Sequence, residues 1–174
     1  PVVMDPVGAG ATKLRTDTST ELLDEVRFAV IRGNISEIKA LALGGSSTRG
    51  VDAALDDAVT SNNLSAVCSF ARDFARSCNS VIVITGAIDL VTDAQQTFIL
   101  RNGHPMMSRI TGSGCQLTAL IAALVAANPS QPLLATAAAV AAMGIAGELA
   151  FDKNQQFGGG NSSYRNHLID AIFN

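Results

Sequence analysis

Short, wholly apolar runs alternate along this chain with longer segments of helical period. Val2-Val3-Met4, Phe28-Ala29-Val30-Ile31 and Val81-Ile82-Val83-Ile84 are runs of strand length, as strands buried on both faces require. Residues 90–93 and 97–100, separated by Ala94-Gln95-Gln96, read as a hairpin. Leu64, Val67, Cys68, Ala71, Phe74, Ala75 and Cys78 recur at helical spacing opposite Ser65, Ser69, Arg72, Asp73 and Arg76, which predicts an amphipathic helix covering the sheet. Further helices are expected over 21–26, capped by Thr18 or Ser19, and over 35–41, 117–127, 133–150 and 162–173. Strands alternating with helices predict an α/β fold in which 174 residues form a single domain. Residues 44–60, rich in Gly, Ser and Asp and containing Arg49-Gly50-Val51-Asp52, read as a surface connection.

Composition narrows the function. The chain is 48% hydrophobic and only 16% charged, which excludes disorder, and a net charge of −3 with one Tyr and no Trp argues against nucleic acid as a partner. The apolar stretches 117–127 and 133–147 are separated by Asn128-Pro129-Ser130-Gln131-Pro132, and each falls short of the roughly 18–20 residues of a membrane helix. No membrane partner is therefore expected. Three cysteines, with Cys68 and Cys78 about 15 Å apart along one helix, fit a reducing compartment and a cytoplasmic protein in which both are inert core residues. Without a signal peptide, Asn161-Ser162-Ser163 carries no meaning for glycosylation. The sequence opens at Pro1, inside an apolar strand and without an initiator methionine, which predicts a preceding segment.

The chemistry gathers where strands end and helices begin. Arg109-Ile110-Thr111-Gly112-Ser113-Gly114-Cys115-Gln116-Leu117-Thr118 runs from a glycine-containing turn into an apolar helix. Such a turn presents unpaired N–H groups and the positive end of the helix dipole, so it reads either as an anion site with Cys115 beside it or as a tight connection. Asp5-Pro6-Val7-Gly8-Ala9-Gly10 places a carboxylate and a glycine loop at a strand end, for a metal, a substrate hydroxyl or an Asx turn. In Arg32-Gly33-Asn34-Ile35-Ser36-Glu37, Asn34 and Glu37 have capping-box spacing; the same pair can hold a magnesium ion through water while Arg32 meets phosphate oxygens. Thr85-Gly86 closes a third strand with a hydroxyl and a glycine. Neither a P-loop nor a full dinucleotide fingerprint occurs. His104 reads as a turn residue, and His167 falls on the last helix.

In residues and order these strand ends, together with Gly160-Asn161-Ser162-Ser163-Tyr164-Arg165, resemble the hydroxyethylthiazole kinase family. The resemblance is specific, because few families combine the Arg32-Gly33-Asn34-x-x-Glu37 pattern with Gly112-x-Gly114-Cys115, where related sugar kinases carry Asp at the Cys115 position. The resemblance implies a ribokinase-like three-layer α/β/α fold with a mostly parallel central sheet. It implies phosphorylation of the thiazole alcohol with ATP and Mg2+ in thiamine salvage, by a homotrimer with sites at subunit interfaces. On that resemblance Arg32, Asn34 and Thr85 bind ATP, Asp5 and Glu37 serve magnesium or the phosphate network, Gly112 touches substrate, and Cys115 occupies the catalytic-base position. Family members also carry an N-terminal part, roughly a third of their chain, that supplies strands and much of the thiazole pocket. Two other readings are a nucleotide-binding or assembly protein without catalysis, and a hydrolase using Cys115 as nucleophile with His104 or His167 as base.

Overall fold

The computed structural model describes residues 1–44 and 58–174, so most of the expected surface connection, including Arg49 to Asp52, lies outside the described residues. Among the described residues five strands form one mixed sheet in sequence order: β1 (Val3–Met4), β2 (Val30–Asn34), β3 (Val81–Thr85), β4 (Asp89–Thr92) and β5 (Thr97–Leu100). The first three are parallel, and β3–β4 and β4–β5 are antiparallel, β4 and β5 being the hairpin read from the sequence.

The pleat explains why apolar residues follow one another in the central strands. Ile31, Ile82, Ile84 and Leu90 enter a core with α2 (Ile35–Leu43) and α3 (Leu64–Cys78), while Val30, Val81, Val83 and Val91 enter a second core with α4 (Ser113–Ala127), α5 (Pro132–Gln156) and α6 (Asn161–Phe173). Helices thus cover both faces in an α/β/α arrangement. Tyr164 of α6 is fully buried, its hydroxyl donating 3.0 Å to the Gly147 carbonyl, and burial pushes its pKa up to about 12.

Two expected boundaries move. The first helix, α1, runs Lys13–Glu25 with Thr12 as its cap, so Thr18 and Ser19 lie inside it. The run of hydroxyl residues is tolerated because Thr16 and Thr20 donate to the carbonyls of Thr12 and Thr16, both at 3.0 Å, which occupies side chains that would otherwise compete for the backbone. Strand β2 reaches Asn34, so Arg32 and Gly33 belong to the strand itself, where register sets their faces. A third difference concerns length. Pro132 starts α5 as a first-turn proline, and the helix continues for 25 residues, long and apolar enough by length and composition to cross a membrane. Here 56% of its most apolar window is buried inside the fold.

Candidate active site

Period-two geometry brings the site together. Met4, Ile31 and Ile82 are register partners facing the α2–α3 core, so Asp5 and Arg32, each one residue further on, face α4. Thr85 shares that face, being one residue beyond Ile84. There Arg32 Nη2 donates to Thr85 Oγ1 at 2.8 Å and Arg32 Nη1 reaches Asp5 Oδ2 at 3.4 Å. Thr118, on the second turn of α4, donates to the same Asp5 oxygen at 2.8 Å and so ties the helix to the sheet. Each side chain of the Arg32–Asp5 pair is only 14% exposed.

The guanidinium sits against the start of α4. Gly112 caps that helix with φ of 87°, in the left-handed region that glycine adopts without strain, and no side chain caps the first amides. A Cβ on Gly114 would lie 2.7 Å from Arg32 Nη1, so only glycine lets the guanidinium approach the helix so closely. A cation pressed against the positive end of a helix is unfavourable in isolation, and it becomes favourable when an anion lies between or beside them. Arg32 Nε, buried without a hydrogen-bond partner, points the same way, while the equally unpartnered Asp5 Oδ1 calls for a donor or a cation beside that anion. Leaving such groups unpaired costs roughly 1–3 kcal/mol each, which a bound polar ligand recovers.

Beside this cluster opens a cavity of about 700 Å³ whose lining combines Arg32, Thr85, Ser113 and Gly114 with the apolar Leu117, Val140 and Met143. Its polar end suits phosphates and its apolar part a flat ring. Asp89 lines it too; its Oδ1 accepts from the Gly86 N–H at 2.8 Å, and burial pushes the carboxyl above the usual carboxylate range more than that bond and the nearby Arg32 lower it.

The remaining expected residues fall around this centre. Asn34 and Glu37 form a complete capping box: Asn34 Oδ1 accepts from Glu37 N at 2.8 Å, and Glu37 Oε2 accepts from Asn34 N at 2.9 Å. Glu37 Oε1 also accepts from Gly8 N at 3.0 Å, so this carboxylate joins the Asp5 loop to α2. Cys115 is exposed in the first turn of α4, and the space beside Gly112 is open. Cys68 and Cys78 are half-buried on α3, with thiol pKa values raised by burial. His104 caps a 3₁₀ turn, Pro105–Arg109, accepting from Met106 N at 3.2 Å, and its ring stacks on Phe151 with centroids 3.6 Å apart. Sequence reasoning assigned no role to Thr118, Asp89 or Asn102. Gly86-x-x-Asp89 at a strand end was the legible sign of a capped turn, whereas Thr118 looked like any helix hydroxyl.

Comparison with known proteins settles the family. The model of the hydroxyethylthiazole kinase family matches residues 1–174. The chain belongs to this family. Among curated relatives, the hydroxyethylthiazole kinase of Clostridium acetobutylicum is 53% identical over 174 residues, covering 100% of this chain and 63% of its own. That of Desulfovibrio desulfuricans is 44% identical over 179 residues, covering 99% of this chain and 63% of its own. The solved structure of hydroxyethylthiazole kinase from Pyrococcus horikoshii OT3 superposes with a TM-score of 0.82 at 35% identity, over 99% of this chain and 59% of that one. The chain therefore spans about three fifths of the length of these relatives.

Proposed function

We propose that residues 1–174 act as the single, nucleotide-binding kinase domain of a hydroxyethylthiazole kinase, transferring the γ-phosphoryl group of ATP to the thiazole alcohol in thiamine salvage. The observation that carries the reading is Arg32, held by Thr85 and Asp5 and pressed against the uncapped start of α4 at Gly114. In an in-line transfer the alcohol oxygen bonds to the γ-phosphorus as the bond to the bridging oxygen of ADP breaks, and catalysis is mainly positioning and charge stabilisation. Arg32 and Thr85 contact phosphate oxygens, and the first amides of α4 receive the charge that develops on the transferred group. Asn34 supports this arrangement by capping α2 beside Arg32.

Magnesium suits the same end of the cavity. The buried, unpartnered Asp5 Oδ1 is an available oxygen ligand, Glu37 anchors the same loop through the Gly8 N–H and would serve the metal through water, and Mg2+ is commonly held by one or two carboxylates together with phosphates and water. Bound there, it would neutralise phosphate charge. Gly112 borders open space where the alcohol would enter, and the exposed Cys115 would sit near the attacking hydroxyl, orienting it or receiving its proton. An ATP-dependent salvage step fits a cytoplasmic enzyme, and the family likeness favours a homotrimer with sites shared between subunits.

The test is the formation of hydroxyethylthiazole phosphate from ATP and Mg2+ by the purified chain, beside Arg32→Ala. Product that disappears with Arg32→Ala supports the reading. A chain that is folded yet neither binds ATP nor forms product refutes it; ATP binding without product limits these residues to the nucleotide half of the reaction.

A further inference from the structure

We infer that Asp89 binds the ribose of the nucleotide, its carboxylate accepting from the sugar hydroxyls beside the phosphate contacts. This rests on the proposal that the 700 Å³ cavity takes ATP. Ile84 pairs with Leu90, so Asp89 stands next to Thr85 where β3 ends and β4 begins. Among the described residues it is the one carboxylate that borders the cavity. Its two oxygens are in different situations. Oδ1 accepts from the Gly86 N–H at 2.8 Å, which fixes the carboxylate across the turn between the two strands. Oδ2 has no hydrogen-bond or ion-pair partner among the described residues, and unlike Asp5 Oδ1 it is not sealed from solvent. Arg32 and Arg101 border the same cavity, yet neither forms an ion pair with it. Burial raises the pKa of this carboxyl more than the Gly86 bond and the Arg32 charge lower it, so the ionised group is short of donors.

An ionised carboxylate only accepts, so the part of the nucleotide that lies against it must donate. Phosphate oxygens carry the same charge and are repelled. ATP has two kinds of donor left, the ribose hydroxyls and the exocyclic amino group of adenine. Position along the nucleotide separates them. Arg32 takes the phosphates and stands near enough to Asp89 for its charge to be felt there. The sugar follows the phosphates directly, whereas the amino group lies on the far edge of the base. A carboxylate accepting from a ribose hydroxyl is the contact that dinucleotide sites use, and such charge-assisted bonds are the stronger ones.

The experiment is calorimetric titration of the purified chain, without divalent metal, with ADP, its 2′-deoxy, 3′-deoxy and 2′,3′-dideoxy analogues, and purine riboside diphosphate, which keeps both hydroxyls and lacks the amino group. ADP is expected to bind at least about tenfold more tightly than the dideoxy analogue, with the single deoxy analogues between them. In Asp89→Ala, that ratio is expected to fall to within about threefold, with thermal melting confirming the fold. Equal binding of ADP and the dideoxy analogue by the parent chain overturns this inference while leaving the nucleotide site standing, as does a ratio retained in folded Asp89→Ala. A preference for ADP over purine riboside diphosphate that Asp89→Ala abolishes would assign the residue to the base and also overturn it. Binding of none of the ligands by a folded chain overturns the assignment of the cavity and this inference with it. If Asp89→Ala fails to fold, Asp89→Asn decides: it keeps an acceptor for Gly86 and removes the charge, so the ratio should narrow by at least about threefold, and an unchanged ratio overturns the inference.

Discussion

Gly114→Ala separates the role of the site from the stability of the fold. Gly114 is the second residue of α4 and its φ is not in the positive range, so alanine is compatible with the backbone and stabilises the helix by up to about 1 kcal/mol. The new methyl, however, would stand 2.7 Å from Arg32 Nη1, 3.0 Å from Nη2 and 3.2 Å from Cζ, where ordinary contact begins at 3.4 Å. The guanidinium must retreat by at least 0.7 Å, the difference between 3.4 and 2.7. That displacement breaks or stretches the 2.8 Å bond to Thr85 and moves the charge away from the start of α4. A charge-assisted hydrogen bond to phosphate is worth about 1.5–3 kcal/mol, so nucleotide affinity should fall about ten- to a hundredfold. Calorimetric titration with ADP and a melting curve on the same preparation measure both quantities. Weaker ADP binding with a Tm changed by only a few degrees is the expected result, because the helix gain of up to about 1 kcal/mol offsets a lost bond of about the same size. An unchanged Kd would refute the placement of Arg32 as the phosphate contact, and a collapse of the melting transition would refute the claim that the methyl is compatible with the helix.

Other substitutions probe the surroundings. Glu37→Ala removes acceptors from the N–H groups of Gly8 and Asn34 and should cost about 1–3 kcal/mol, read as a lower urea midpoint. Because burial raises the Asp89 pKa above its value of 3.8 in the unfolded chain, the ionised carboxylate costs stability, and that cost grows as pH rises through the folded value. Asp89→Asn should therefore melt higher than the parent at pH 7, the gap closing by about pH 3; a gap that widens on acidification would reverse the sign of the argument. Iodoacetamide at pH 8 should label exposed Cys115 well before Cys68 and Cys78, whose thiols burial pushes up, and ADP should slow that labelling. Peptide mass mapping reads the order, and equal labelling of all three would count against it.

Much of the architecture was legible because β3 is a run of Val and Ile, and β1 and the start of β2 are apolar runs of the same kind, as strands covered on both faces require. The capping box at Asn34 and Glu37 was readable because both partners lie within one helical turn. What stayed hidden were pairings across sequence distance. Nothing local to Thr118 announces a bond to Asp5, 113 residues away, since it follows from which face of α4 meets β1. Register made the same difference for Arg32: read as a loop residue after a strand, it has no fixed direction, whereas inside β2 its face follows from the positions of Ile31 and Val30. The bond from Asn102 to the Ala141 carbonyl was equally hidden, because the room for that amide is made by Gly144, more than forty residues later.

The double hold on Asp5 bears on how an event in the cavity travels into the fold. Asp5 follows directly on Val3 and Met4, which are in ladder register with β2, and its carboxylate is held both by Arg32 of β2 and by Thr118 of α4. Local openings that expose backbone amides on either element must loosen that shared carboxylate. A ligand gripping Arg32 reinforces the hold, so it slows such openings on the sheet and the helix together. Amide protons of Met4 and Thr118 thereby become reporters of an event at the phosphate end of the cavity.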